Sequence, residues 1–168
     1  PSGFSAGYSV EANSLNGGGF GHVLEGFVNL PVSSNATVRL VGWQKHDAGY
    51  VDNILGTRTY PTSGITDSNE DFAENDYNTA DTAGIRAAAR FDTNDNWTIT
   101  PQLIAQKQKA YGSAGIDPNT GSADAGFDSS SGEMAVKHFY PESSDDRWHQ
   151  AALTVEGKIG NFDLTYVF

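Results

Sequence analysis

Residues 36–45 alternate in character: Ala36, Val38, Leu40 and Gly42 fall on one side of an extended segment, and Thr37, Arg39, Val41, Trp43 and Lys45 on the other. That is the period-two geometry of a strand with one apolar and one polar face. The pattern returns over 82–91, where Ala83, Ile85, Ala87, Ala89 and Phe91 oppose Thr82, Gly84, Arg86, Ala88 and Arg90. After the turn residues Asp92 to Asn96 it resumes at Trp97, Ile99, Pro101, Leu103 and Ala105, opposed by Thr98, Thr100, Gln102, Ile104 and Gln106. A helix does not fit, because its apolar positions recur at three and four residues.

The alternation predicts further strands over 4–13 and 20–30, the second stopping at Pro31, and over 133–140, ended by Pro141. Two more cover 148–156 and 162–168, the last with Phe162, Leu164, Tyr166 and Phe168 on one face, for about eight strands in all. Asn16–Gly19, Pro31–Asn35 and Gly157–Asn161 supply turn chemistry between them. Two polar stretches, from His46 to about Asp76 and from Lys109 to Ser131, read as loops of a length uncommon in compact domains. The fold class expected is all-β. Transmembrane barrels combine short turns at one end, long loops at the other, and an apolar outer face alternating with a polar interior. The aromatics Trp43, Trp97, Trp148 and Tyr166 near strand ends agree with that rhythm.

Composition narrows the partners. The 168 residues fit one domain, here a partial barrel over 1–168 with no second domain. A net charge of -11, from 10 basic and 21 acidic residues, leaves no cationic stripe for a phosphate backbone, so nucleic acid is not an expected partner. The acids gather in Asp67–Asp81 and Glu142–Asp146 as solvated loops. With no cysteine, disulfides and thiolate chemistry are excluded. No run approaches the roughly 20 apolar residues of a spanning helix, so any membrane crossing is by strands. Pro1 opens the chain without a charged n-region or an apolar h-region, and any signal peptide is expected to have been removed.

Candidate chemistry is sparse. Gly17-Gly18-Gly19-Phe20-Gly21 precedes a strand, not the helix that a phosphate cradle needs. His22, His46, His138 and His149 lack metal-ligand spacing. Asp67, Asn69, Glu70 and Asp71 offer oxygens without the ordered calcium-loop spacing, and a solvated loop is the expectation. Asp145-Asp146 has no evident pocket to shift its titration, and no nucleophile motif is present. No enzyme activity is expected, and no catalytic, cofactor-binding or metal-binding residue is assigned.

A family likeness runs in order along the chain. Val28-Asn29-Leu30-Pro31-Val32, Arg39-Leu40-Val41-Gly42-Trp43 and Ala48-Gly49-Tyr50-Val51-Asp52-Asn53 resemble early barrel strands of TonB-dependent outer-membrane receptors. Tyr77-Asn78-Thr79, Gly84-Ile85-Arg86-Ala87-Ala88, Asp95 to Pro101 and Gly160 to Tyr166 continue the resemblance. It implies a parent in the bacterial outer membrane that takes up a scarce ligand, such as a ferric siderophore, with energy delivered through TonB. Arg39, Arg86 and Arg90 would then line the interior against the plug. Without that plug and a TonB-contacting box this chain is not expected to transport by itself.

Family barrels have about 22 strands, so eight form an open arc with two unpaired edges. Such edges recruit other chains, and the isolated fragment, if released from the membrane or extracellular, is expected to self-associate as cross-β filaments. Val38–Trp43, Ile85–Phe91 and Leu164–Phe168 are the candidate zipper segments. Two alternatives remain at this stage: a complete eight-stranded outer-membrane barrel ending at Phe168, and a secreted β-domain of two packed sheets.

Overall fold

In the computed structural model, residues 3–115, 126–128 and 133–168 are described. Twelve strands are present among them, and no helix: β1 (Ser5–Ser14), β2 (Phe20–Ser33), β3 (Ala36–Asp47), β4 (Val51–Asn53), β5 (Thr57–Thr59), β6 (Thr66–Ser68), β7 (Ala80–Asn94), β8 (Trp97–Tyr111), β9 (Gly126–Asp128), β10 (Glu133–Val136), β11 (Ser143–Ile159) and β12 (Phe162–Val167). The seven long ones form a single antiparallel sheet in the order β1-β2-β3-β7-β8-β11-β12. The sheet is open, since β1 and β12 are its two edges and do not pair with each other. A closed eight-stranded barrel is therefore not what this chain forms.

Register sorts the side chains into two faces. Cross-strand partners share a face, so Ala6, Val28, Leu40, Ala87, Leu103 and Ala151 form one continuous row across six strands. The neighbouring row on that face holds Tyr8, Gly26, Gly42, Ile85, Ala105 and His149. The opposite face carries rows such as Asn29, Arg39, Ala88, Gln102 and Ala152. Nothing covers the apolar face among the described residues: Tyr8 is 85%, Ile85 65% and Leu103 62% exposed. Among the described residues no strand of the small sheets packs against the large one, so the two do not form a sandwich there. The chain exposes 11297 Å², where a compact soluble monomer of its mass would expose about 8,000 Å². The large sheet has no core of its own.

The two ends of the sheet differ. At one end Ser34-Asn35, Asp95-Asn96 and Gly160-Asn161 make two-residue turns, the last with Gly160 at φ 60°. At the other end lie the Leu15–Gly19 turn, the first long connection and the described residues of the second. Pro31 does not stop β2 as the sequence predicts. The strand runs on to Ser33, because a register shift between Pro31 and Ser33 puts the missing N–H beside an irregularity, where the ladder does not need it. At Pro101 inside β8 the β7–β8 ladder is interrupted between Ala88–Gln102 and Phe91–Ile99 without a change of register, while Pro101 still aligns with Leu153 of β11.

The expected eight strands become twelve because β4, β5 and β6 form within the first long loop and β9 within the second. β4 pairs in parallel with β10, which pairs with β9, and β5 pairs with β6. The strand expected over 133–140 shrinks to β10 and joins this small sheet. Of the second expected loop, residues 116–125 and 129–131 lie outside the described residues. The buried side chains sit in this lobe and not in the large sheet: Val51, Val136, Asn53 and Asn69.

Candidate functional site

Two features have functional potential: the lobe that folds over one end of the sheet, and the sheet's two unlike faces. The lobe is held by asparagines. Asn53 donates from Nδ2 to the carbonyls of Phe72 (2.7 Å) and His138 (3.1 Å), and its Oδ1 accepts from the His138 amide at 2.8 Å. Asn69 donates to Ile54 O (2.8 Å) and His138 O (3.2 Å) and accepts from the Gly56 amide at 2.7 Å. Asn78 Oδ1 accepts from the amides of Tyr50 (2.7 Å) and Val51 (2.8 Å). Loop backbone that lacks sheet partners must find others when buried, and an amide side chain offers both donors and an acceptor. The effect is to fix 50–56, 69–78 and 136–138 as one unit.

A second clasp joins the two long connections. Tyr77 Oη lies 3.2 Å from His138 Nδ1 and accepts from the Ser113 amide at 3.2 Å, while His138 Nδ1 sits 3.0 Å from Glu142 Oε2. Burial pushes the Tyr77 hydroxyl above its ordinary value, opposed by its backbone hydrogen bond at Ser113 and reinforced by the Glu142 carboxylate. Nearby, Asp76 stands at φ 54° with its amide donating to Asp52 Oδ1 at 2.8 Å. Burial first, and then the Asp52 charge, raise the Asp76 carboxyl. Outside these clasps, Tyr60 and Tyr140 pair through their hydroxyls at 3.1 Å.

On the polar face, Arg39 donates to Asn29 Oδ1 at 3.3 Å and lies over the Phe27 ring at 4.3 Å, and Asn29 in turn donates to Ser5 Oγ at 2.7 Å. Arg90 is held by Asp92 Oδ1 at 3.0 Å. Arg86 lies one row beyond Arg39 toward the lobe, beside Val41 and Ile104, so that the Arg39 row falls between those of Arg86 and Arg90. The three arginines expected on the interior face do share one face, spaced along it and not clustered.

Other singled-out residues land variously. His22 and His46 are register partners with stacked rings 5.6 Å apart, and His46 Nδ1 lies 2.7 Å from Asp81 Oδ1. Sequence spacing gives no hint of that meeting, because it depends on β2–β3 and β3–β7 register. Among the described residues no group of three or more histidine or acidic side chains is placed to hold a metal ion. Asp67, Glu70 and Asp71 are exposed, but Asn69, grouped with them as a solvated oxygen donor, is fully buried. That expectation is corrected: Asn69 is a structural peg. Gly17 is a turn residue at φ 68°, and the Gly19 amide donates to Gly49 O at 3.0 Å, so the glycine run allows close backbone approach at the lobe. Asp145 pairs with Arg147 and does not act with Asp146, which lies on the other face.

Compared with known protein families, curated proteins and solved structures, the chain has no match.

Proposed function

We propose that this chain is part of the wall of a bacterial outer-membrane β-barrel, and that the parent is a TonB-dependent receptor for active uptake of a scarce ligand such as a ferric siderophore. One observation carries the membrane part: a seven-stranded antiparallel sheet whose apolar face is uncovered while its other face is polar. Two-residue turns at one end and a folded lobe at the other support the same reading. β8 and β11, with 15 and 17 residues, extend about 50 Å at roughly 3.3 Å per residue. That exceeds the ~25 Å apolar band of outer-membrane barrels, leaving length for tilt and for the charged residues toward the lobe. The uptake part rests on the resemblance of the strand and turn phrases, with Arg39, Arg86 and Arg90 facing the plug and the lobe presenting the ligand-facing loops.

The open edges favour a second reading for a free copy of the chain. β12 is exposed along its whole length, so an isolated copy self-associates through it and through β1.

The absence of cysteine makes the membrane test direct. Single cysteines placed along 85–88 and 102–105 are labelled with an environment-sensitive dye and challenged with lipids carrying a quencher on the acyl chain. Positions 85, 87, 103 and 105 are expected to be quenched, and 86, 88, 102 and 104 spared. Uniform quenching, or none, overturns the barrel-wall reading. For uptake, a parent barrel containing this segment is expected to accumulate ligand only while the inner membrane is energised; accumulation that survives collapse of the proton gradient removes the TonB assignment.

A further inference from the structure

At the lobe end of the apolar face, two cations stand side by side where the apolar band stops. Lys107 of β8 and Arg147 of β11 are register partners. Their row continues through Ala83 and Gln44 to Leu24 and Val10, and contains no carboxylate. The acids come one row farther out, where Asp81 and Asp145 flank Lys109. Asp145 engages Arg147 from that outer side, at 3.1 Å to Nε and 3.3 Å to Nη2. Lys107 forms no ion pair among the described residues. Like charges directly across a strand pair repel, and here nothing on the band side offsets them. In a chain of net charge -11 this local excess is a specific arrangement and not a general bias.

Below the cations the face carries shallow depressions open to its surroundings. A cleft of about 530 Å³ is lined by Ala83, Ile85, Ala105, Lys107, Arg147 and His149. It meets a second of about 520 Å³, lined by Ala87, Leu103 and Ala151 besides Ile85, Ala105 and His149. The two form a trough that starts at the cation pair and runs into the apolar band, floored by alanines beside the taller Ile85 and Leu103. Charge at the mouth and apolar walls below match one kind of molecule: an anionic head on an acyl chain.

We infer that Lys107 and Arg147 form a binding site for a membrane lipid with a phosphate headgroup, whose acyl chain lies in the trough along Ile85. The site deepens the barrel-wall reading and rests on it, since only a face turned to lipid meets such a partner. The phosphate bridges the two cations and relieves their repulsion, with Arg147 held in position by Asp145 and Lys109 close behind. His149, one row below Arg147, marks the level at which headgroup gives way to chain.

The test uses the whole chain in neutral detergent, with bound lipid counted by native mass spectrometry. Phosphatidylglycerol is expected to remain bound where diacylglycerol, with the same chains and no phosphate, is lost. The Lys107→Gln/Arg147→Gln variant should lose about tenfold in phosphatidylglycerol retention, Lys107→Arg/Arg147→Lys should keep it, and Lys158→Gln at the far end should change nothing. Equal retention of the two lipids, or no loss in the glutamine variant, overturns the inference. Displacement by equimolar inorganic phosphate would assign the cations to a free anion and overturn the lipid commitment. The cysteine quenching pattern separates the two levels: alternation without a headgroup preference sinks this site alone, and loss of alternation sinks the wall beneath it.

Discussion

Trp43 lies across Gly84, its register partner on the adjacent strand, so closely that a Cβ on Gly84 would overlap the indole. The same device recurs where Trp97 covers Gly157 and where Phe27 covers Gly7. A large ring laid over a bare backbone shields its hydrogen bonds and fixes register, compensating for the side chain that glycine lacks. Gly84→Ala is therefore expected to destabilise the sheet by about 1–3 kcal/mol, the usual cost of overpacking, and to shift tryptophan emission to the red as the ring is displaced. A double-mutant cycle with Trp43→Leu checks the cause. If Gly84→Ala costs as much without the indole as with it, the clash is not the reason.

Asn69 is fully buried, and its side chain is the partner of three backbone groups. Asn69→Ala leaves the part-buried Gly56 amide and Ile54 carbonyl without those bonds. A stranded buried group costs about 1–3 kcal/mol, so the lobe should lose roughly 2–4 kcal/mol of local stability. Amide exchange at Gly56 and at Phe72, which donates to Asn69 O at 2.8 Å, is expected to accelerate by two orders of magnitude or so, while the Leu103 and Ala151 amides of the large sheet keep their rates. Uniform acceleration across both regions would mean that the lobe and the sheet are one cooperative unit.

These two cases mark what was legible in the sequence. The seven long strands could be read because each carries at least three full alternations between faces. Their lengths were underestimated where the alternation ends in polar residues, as at Ser143–Arg147, which continues β11 without an apolar face. β4, β5 and β6 have three residues each and hold no period at all. They exist because distant partners meet them, β4 through β10 in the other long connection. Asn69 was hidden for a related reason. Its neighbours Glu70 and Asp71 are solvated, and its burial is decided by Gly56, Ile54 and His138, none adjacent in sequence. The polar and apolar faces, and with them the shared face of the three arginines, follow from period two alone; the Lys107–Arg147 pairing needs the β8–β11 register, which alternation does not set.

Asp76 gives the lobe a pH dependence. Its carboxyl is raised by burial and by Asp52, so folding disfavours its charged form. The penalty is absent below the unfolded value near 3.9 and becomes complete as pH rises through the higher folded value. Asp76→Asn removes the charge while keeping a residue that tolerates φ 54°. The variant should stabilise the lobe at pH 7 and give no gain at pH 3, read from the protection of the Tyr77 amide, which donates to Val51 O at 2.8 Å. A gain of equal size at both pH values would trace the effect to backbone preference and not to charge.

The edges govern what an isolated copy does. Of the three candidate zipper segments, Val38–Trp43 and Ile85–Phe91 lie in β3 and β7, which have hydrogen-bonded neighbours on both sides, and only Leu164–Phe168 falls at an open edge. If the folded sheet is the species that associates, growth begins at β12 and β1. In detergent-free buffer the chain is expected to form filaments with a repeat near 4.7–4.8 Å along the fibre axis. Tyr166→Glu together with Tyr8→Glu places a charge on each edge strand and should lengthen the lag at least severalfold, because natural edges are blunted by charge in this way. Thr62→Glu/Thr66→Glu in the lobe adds the same net charge away from both edges and should leave the lag nearly unchanged. If the lobe variant delays assembly as much as the edge variant, overall repulsion controls the process. If neither does, association starts from an unfolded chain, and the central segments become the nucleus.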